Sequence, residues 1–198
     1  MAYRLLLSLV CVAALAVPAA AAPITYVAQL SGPAEEPANA SPGTGTAFVT
    51  IDDVTHLMEV DATFAGLIGT TSVAHIHVID GPGDATFGDT VGGVATTTPS
   101  FTGFPAGVTS GTYNQTFNML DASSYRPGFI TAAGGVPQAE AALFAAIADG
   151  RAYFNIHSSV FAGGEIRGFL QAVPEPATLL LLGAGLAGVV RMRSRRRA

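Results

Sequence analysis

The sequence predicts an all-β domain: an antiparallel Greek-key-like sandwich or barrel with one short helix, flanked by an N-terminal signal helix and a C-terminal hydrophobic helix. Three observations support this prediction. Short runs of strand-forming residues recur along the chain, turn signals rich in glycine and proline separate them, and a helical pattern occurs once. Such an arrangement is typical of antiparallel sheets, whereas regular alternation of strands and helices would indicate a parallel sheet.

The predicted strands follow one another along nearly the whole domain. They are the runs ITYVAQL, TAFVTI, HLMEVDATFAGL, TSVAHIHVI, TYNQTFNM, RAYFNIHS and EIRGFLQAV. Residues 58–64 alternate between apolar and polar side chains, which indicates a strand with one buried and one solvated face. The helix is predicted at 137–149, where Pro137 opens an alanine-rich stretch that stops before Gly150.

The N-terminal segment, 1–21, has the pattern of a secretion signal peptide. Arg4 precedes an apolar stretch at 5–17, and small residues at Ala19 and Ala21 suit cleavage after Ala21. The mature domain is therefore predicted to span residues 22–172. The single cysteine, Cys11, would leave with the signal, so the mature domain could form no disulfide and its fold must rest on its core.

The charge of the domain limits its partners. The segment from Pro23 to Ala172 contains thirteen acidic residues and three arginines, and the chain contains no lysine. The domain therefore carries a net charge near minus ten. Nucleic acid binding requires basic side chains that displace counterions from phosphates, so we expect no nucleic acid partner. Cations or basic surfaces are better suited to this charge.

The C-terminal segment, 173–198, contains three parts in a fixed order. Pro174, Glu175 and Pro176 precede an apolar run at 177–190, and five arginines follow. This apolar run falls short of the roughly 20 residues that a robust membrane span needs, but the arginines are typical of a cytoplasmic flank. We therefore expect a short transmembrane helix.

These three parts resemble the PEP-CTERM sorting signal. The resemblance implies export across the inner membrane of an exopolysaccharide-producing Gram-negative bacterium by the secretion machinery. It further implies a membrane-tethered precursor that an exosortase cuts near the Pro-Glu-Pro motif, leaving the protein in the envelope or outside the cell. An anchor that is never cut is the alternative.

Three stretches resemble the CHRD domain, which is named from chordin. They are YVAQLSGPAEEPANASPGTGTAFVTID, AHIHVIDGPG and GRAYFNIHSSVFAGGEIRGFL, and together they extend from residue 26 to residue 170. Ser158 and Ala162 depart from the family pattern, which usually has Thr and Pro there. The resemblance implies an extracellular β-rich module, which has a binding role in the animal proteins.

Three histidines form the constellation best suited to metal chemistry. Because strand side chains alternate, His75 and His77 share the face opposite an apolar row, and His157 lies opposite a second apolar row in its own strand. If these strands are neighbours in one sheet, the histidines converge with three polar residues on one face, namely Asn155, Glu165 and Arg167. Neutral imidazoles so arranged could bind zinc or copper, with Glu165 or Asn155 orienting a ring. The alternative is a metal-free hydrogen-bond network that holds the strands in register.

The other candidate site residues have simpler interpretations. His56 is predicted to be a surface histidine without a nearby partner in the sequence. Asp80, Asp84 and Asp89 lack the alternate spacing of a calcium loop and are interpreted as a solvated turn.

No enzyme motif supports catalysis. The chain has no Gly-x-Ser-x-Gly elbow, no phosphate-binding loop and no His-Glu-x-x-His helix. The first hypothesis is a secreted or envelope-associated, non-catalytic CHRD binding module associated with extracellular matrix or exopolysaccharide, with an extracellular protein or glycan as partner. The alternative is a metal-binding protein similar to copper/zinc superoxide dismutase, because that family also places His-x-His on a strand. Only His157 follows His77, so a two-metal site cannot be assembled.

Overall fold

A computed structural model describes residues 22–84 and 92–174 together with residue 185. The predicted signal peptide and Asp89 lie outside these residues. So do Glu175, Pro176 and the predicted transmembrane helix, apart from residue 185.

Within the described residues, nine strands form one antiparallel sheet. They are β1 (Ile24–Ser31), β2 (Thr44–Asp52), β3 (Leu57–Ala65), β4 (Thr71–Val78), β5 (Gly93–Val94), β6 (Gly111–Asn118), β7 (Ala152–Ser158), β8 (Ile166–Phe169) and β9 (Gln171–Ala172). The order across the sheet is β5-β4-β7-β8-β1-β2-β3-β6, and β9 pairs with β1. The predicted antiparallel all-β class is therefore confirmed, and each predicted strand has its counterpart in the sheet.

The sheet curls into a half-barrel around an aromatic core. Phe101, from the segment between β5 and β6, has its ring centroid 5.3 Å from that of Phe117 on β6 and 5.7 Å from that of Phe154 on β7. These two strands lie far apart in the strand order, so contacts of one ring with both require the sheet to close on itself. Apolar residues of the inner face, such as Val60 and Ile76, are completely buried.

Two α-helices cover part of the core, α1 (Pro127–Ala133) and α2 (Val136–Ala148), and short 3₁₀ turns occupy Gly32–Ala34 and Ala122–Ser124. The structure confirms α2, whereas α1 is a helix that the sequence did not predict. This helix is too short to display a 3.6-residue period of apolar residues. It nevertheless begins at a proline and ends before Gly134, whose φ is +97°.

Among the described residues no single helix is long and apolar enough to cross a membrane. The consecutive helices α1 and α2 meet the length and composition requirements only when taken together, with a bend of 95° between them.

Candidate metal centre

The three predicted histidines lie on two neighbouring strands. Strands β4 and β7 pair antiparallel, with His75 opposite Asn155 and His77 opposite Tyr153. His157 is two positions beyond Asn155 and therefore lies on the same face. The pairing of β4 with β7, on which the predicted convergence of the histidines depends, is thus present in the sheet.

The three imidazoles lie close together on the face of the sheet that points away from the aromatic core. Their ring centroids are 5.4 Å apart for His75 and His157, 5.7 Å for His75 and His77, and 5.9 Å for His77 and His157. One ring nitrogen from each lies within 4.8 Å of the other two. The three residues are between 6% and 9% exposed. The expected convergence of the three imidazoles is therefore seen in the structure.

Backbone carbonyls orient each ring. His75 Nε2 lies 2.6 Å from the carbonyl oxygen of Pro99, His77 Nδ1 lies 2.9 Å from that of Gly92, and His157 Nδ1 lies 2.9 Å from that of Ala162. A carbonyl can only accept, so in the neutral ring this nitrogen carries the proton and the other has a lone pair. Those other nitrogens are His75 Nδ1, His77 Nε2 and His157 Nε2. Each is buried without a hydrogen-bond partner among the described residues.

Burial keeps these rings neutral. Desolvation lowers the pKa of His77 to about 4, and it also lowers the pKa values of His75 and His157 below their ordinary value. Neutral imidazoles with free lone pairs are the form that binds zinc and copper. At neutral pH no proton therefore has to leave these nitrogens before a metal ion binds.

A layer of aromatic and basic groups borders the histidines. The Tyr153 ring stacks on His77 with 4.9 Å between centroids, and the guanidinium of Arg167 lies 4.8 Å from the centre of the Tyr153 ring. Arg167 Nε donates a hydrogen bond of 2.5 Å to the carbonyl of Ala34 and lies 3.9 Å from Glu35 Oε2. Arg167 thus lies on the predicted polar face and fixes the loop that follows β1.

Asn155 lies within the histidine cluster. It is 2% exposed, lies opposite His75 on β4 and opposite Arg167 on β8, and precedes His157 by two positions. Its Oδ1 is buried and has no hydrogen-bond partner in the described part of the chain. The prediction that Asn155 belongs to this face agrees with its position.

Glu165 does not belong to the cluster, and the expectation that it orients an imidazole is wrong. Its carboxylate accepts hydrogen bonds from Ser41 Oγ at 2.6 Å and from the backbone N–H groups of Ile68 and Gly69 at 2.5 Å and 3.1 Å. Glu165 immediately precedes β8, and its backbone N–H donates to the carbonyl of Ile156 on β7. Glu165 instead ties the entrance of β8 to the loop between β3 and β4.

Glu35 is a site residue that sequence reasoning missed. Its side chain is almost completely buried beside Arg167, and burial raises the pKa of its carboxyl to about 7 although Arg167 opposes this. Its Oε1 has no hydrogen-bond partner among the described residues. Little in the sequence points to it, because Glu35 lies in a proline-rich loop near the start of the domain and Arg167 lies near its end.

The remaining candidate residues lie elsewhere. His56 is at the surface as predicted, with its side chain 40% exposed, but its Nδ1 lies 2.9 Å from Oε1 of Glu140, a partner that is distant in the sequence. Asp80 and Asp84 lie in a turn, where Asp84 accepts a hydrogen bond from the backbone of Asp80.

Comparisons with known proteins give two family matches. The family profile of the CHRD domain matches residues 26–170, and that of the PEP-CTERM protein-sorting motif matches residues 172–197. No curated protein and no solved structure shows significant similarity to the chain.

Proposed function

Because the chain belongs to the CHRD domain family and carries a PEP-CTERM sorting motif, we propose that it is an exported, non-catalytic module that binds one zinc or copper ion. The ligands are His75, His77 and His157. The observation that carries the proposal is a set of three buried ring nitrogens without a hydrogen-bond partner among the described residues, in imidazoles that each bring one nitrogen within 4.8 Å of the other two.

A metal ion accounts for these nitrogens better than a hydrogen-bond network does. A buried polar atom left without a partner costs about 1–3 kcal/mol, and three such atoms lie together here. The three partnerless nitrogens are all acceptors, because the protons of the neutral rings are directed at the backbone carbonyls. Acceptors cannot satisfy one another, whereas one cation can bind all three.

The direct test is a titration of the protein, purified from cells that export it, with zinc and with copper(II). We expect one ion per chain for the wild type and loss of this binding in the double variant His75→Ala/His77→Ala. The matched control is His56→Ala, which removes the histidine outside the cluster and should bind as the wild type does. Equal binding by the wild type and the double variant would refute the metal site.

The absence of catalysis is also part of the proposal. The site resembles a superoxide dismutase centre only in its His-x-His pair, and the fourth histidine of the chain, His56, lies outside the cluster and pairs with Glu140, so it does not bridge a second metal. We expect the copper-loaded protein to leave the rate of superoxide decay unchanged. The reference sample is buffer from which a chelator has removed free copper. Faster decay that is lost in His75→Ala/His77→Ala would contradict the non-catalytic assignment.

The sorting motif implies recognition by an exosortase, and we propose cleavage near Pro174, Glu175 and Pro176 followed by retention in the envelope or extracellular matrix. Mass spectrometry of the exported protein tests the cleavage. A C-terminus at 174–176 supports it, whereas peptides from 177–198 on the exported protein contradict it. For retention, the matching test is release of the protein by enzymes that degrade the producer's exopolysaccharide.

A further inference from the structure

We propose that the metal ion in the three-histidine centre keeps an exchangeable water as its fourth ligand, and that Asn155 and Glu35 hold this water by accepting its two hydrogen bonds. The inference rests on the proposed metal function, and it concerns a part of the site to which neither family match assigns a role.

Asn155 is a neighbour of two of the three histidines. It lies directly opposite His75 on the neighbouring strand and two positions before His157 on its own strand, so its side chain shares their face of the sheet. It is 2% exposed, and its Oδ1 has no hydrogen-bond partner in the described residues. A buried amide oxygen beside the imidazoles is therefore available to a group bound to the metal.

Glu35 supplies a second acceptor beside the first. Its Oε2 lies 3.9 Å from Arg167, whereas its Oε1 is buried and without a partner among the described residues. A Cβ atom placed on Gly164 would lie 2.7 Å from Glu35 Oε1 and 2.7 Å from both Oδ1 and Nδ2 of the Asn155 amide. The two oxygens therefore lie around the same point, and they can come this close to the turn because residue 164 has no side chain.

One metal-bound water matches this pair of acceptors. Three protein ligands leave a zinc or copper ion with a fourth position, which in open sites is taken by water or another small ligand. Such a water uses a lone pair of its oxygen for the metal and offers two protons. Asn155 Oδ1 and Glu35 Oε1 are two acceptors, so a single water satisfies both, and each is a group that native proteins rarely leave without a partner.

A surface cleft lies beside Glu35 and Gly164. It has a volume of about 290 Å³ and is lined by residues 35–39 together with Phe161, Gly163 and Gly164. Glu35 forms part of its lining, so small molecules can come from solvent to the carboxylate. Because the two atoms without a hydrogen-bond partner among the described residues, Asn155 Oδ1 and Glu35 Oε1, are acceptors, we expect the fourth position to favour ligands that carry hydrogens, such as water or ammonia, over acceptor-only anions such as azide.

The test uses the copper(II)-loaded protein and its electron paramagnetic resonance spectrum. In oxygen-17-enriched water the wild type should show line broadening from one coordinated water. In an azide titration, Asn155→Leu and Glu35→Gln should bind azide at least about 10-fold more tightly than the wild type, because the first removes an acceptor oxygen and the second replaces an anion-repelling carboxylate by a neutral amide that can donate. Copper affinity in both variants should fall by no more than about 100-fold, which is the usual effect of removing a residue that does not bind the metal directly but supports its ligands.

The controls are Asn114→Leu and Glu59→Gln, which alter an exposed pair on β6 and β3 and should leave azide binding unchanged.

Absence of line broadening in the spectrum of the wild type would overturn the inference, as would equal azide affinity in all variants. Complete loss of copper by a folded Asn155→Leu would overturn it too, because Asn155 would then be a ligand itself. If the wild type binds no copper or zinc at all, the proposed function fails instead. Glu35→Gln retains the shape of the side chain and keeps the test informative if Asn155→Leu does not fold.

Discussion

At the scale of single residues, each histidine of the centre uses its two ring nitrogens differently. One nitrogen of each ring contacts a backbone carbonyl, and the other points into the cluster without a partner among the described residues. Strand alternation was enough to predict which face the histidines occupy. It could not predict the orientation of the rings, because the carbonyls of Gly92, Pro99 and Ala162 come from loops whose paths depend on the whole fold.

The pH dependence of stability follows from the two kinds of buried group. The pKa of His77 falls from its ordinary 6.5 to about 4 in the folded protein, so its contribution to stability is complete above pH 6.5 and is lost as the pH falls towards 4. Glu35 acts in the opposite direction. Its pKa rises from 4.5 to about 7, so its contribution is complete below pH 4.5 and is lost as the pH rises through 7.

We therefore expect the free energy of unfolding of the metal-free wild type to decrease from pH 7 to pH 4, since His75 and His157 shift in the same direction as His77. The decrease should be larger by about 3 kcal/mol in Glu35→Gln, which removes the opposing carboxyl. Urea denaturation at a series of pH values, in the presence of a chelator, measures the free energy of unfolding of the wild type and of Glu35→Gln. Parallel pH profiles for the two proteins would contradict the burial assigned to Glu35.

Gly168 on β8 gives a prediction about close packing between strands. A Cβ there would overlap the backbone carbonyl of Gln29 on β1, where neither backbone can move without breaking the sheet. We expect Gly168→Ala to lower the free energy of unfolding by about 2–4 kcal/mol, in the range of overpacked core positions. Gly163→Ala is the control, because a Cβ there meets no atom within 4 Å. Similar stabilities for the two variants in thermal denaturation would show that β8 and β1 are less tightly packed than the close approach of Gly168 to Gln29 indicates.

At the scale of elements, local patterns predicted the strands and α2 well, and they failed where an element is short or ends. Helix α1 escaped prediction because it is too short to display a helical period. Glu165 was expected beside the histidines, but it precedes the first residue of β8 and its carboxylate binds Ser41 and the loop between β3 and β4 instead. Boundaries depend on hydrogen bonds to distant loops, such as those from Ile68 and Gly69 to Glu165, which no local pattern contains.

Helix α2 contributes its buried face to the core, and this gives the prediction at the element scale. Leu143 is completely buried, whereas Leu120 is 50% exposed. We expect Leu143→Ala to reduce the free energy of unfolding by about 2–5 kcal/mol through lost burial and a cavity. Leu120→Ala, the same truncation at the surface, should cost less than about 1 kcal/mol. Chemical denaturation compares them, and a small loss in Leu143→Ala would mean that α2 packs loosely on the sheet.

At the scale of the whole molecule, the sheet order explains why the site could be predicted only in part. The ligands come from β4 and β7, which are separated by a long stretch of chain between Val78 and Ala152 but are neighbours in the sheet. The sequence showed that each strand carries a polar face, and only the topology shows that these faces are continuous. Glu35 joins the site through the loop after β1, because β8 lies between β7 and β1 and carries Arg167 to it.

One metal ion is proposed to bind the three ring nitrogens that have no hydrogen-bond partner among the described residues. Long-range proton–nitrogen-15 NMR spectra of the histidine rings test this binding, because they report the state of each ring nitrogen separately. On addition of one equivalent of zinc, we expect coordination shifts at His75 Nδ1, His77 Nε2 and His157 Nε2, while His56 remains unchanged. Shifts confined to His56, unchanged spectra of the three rings, or coordination through the nitrogens that contact the carbonyls would contradict it.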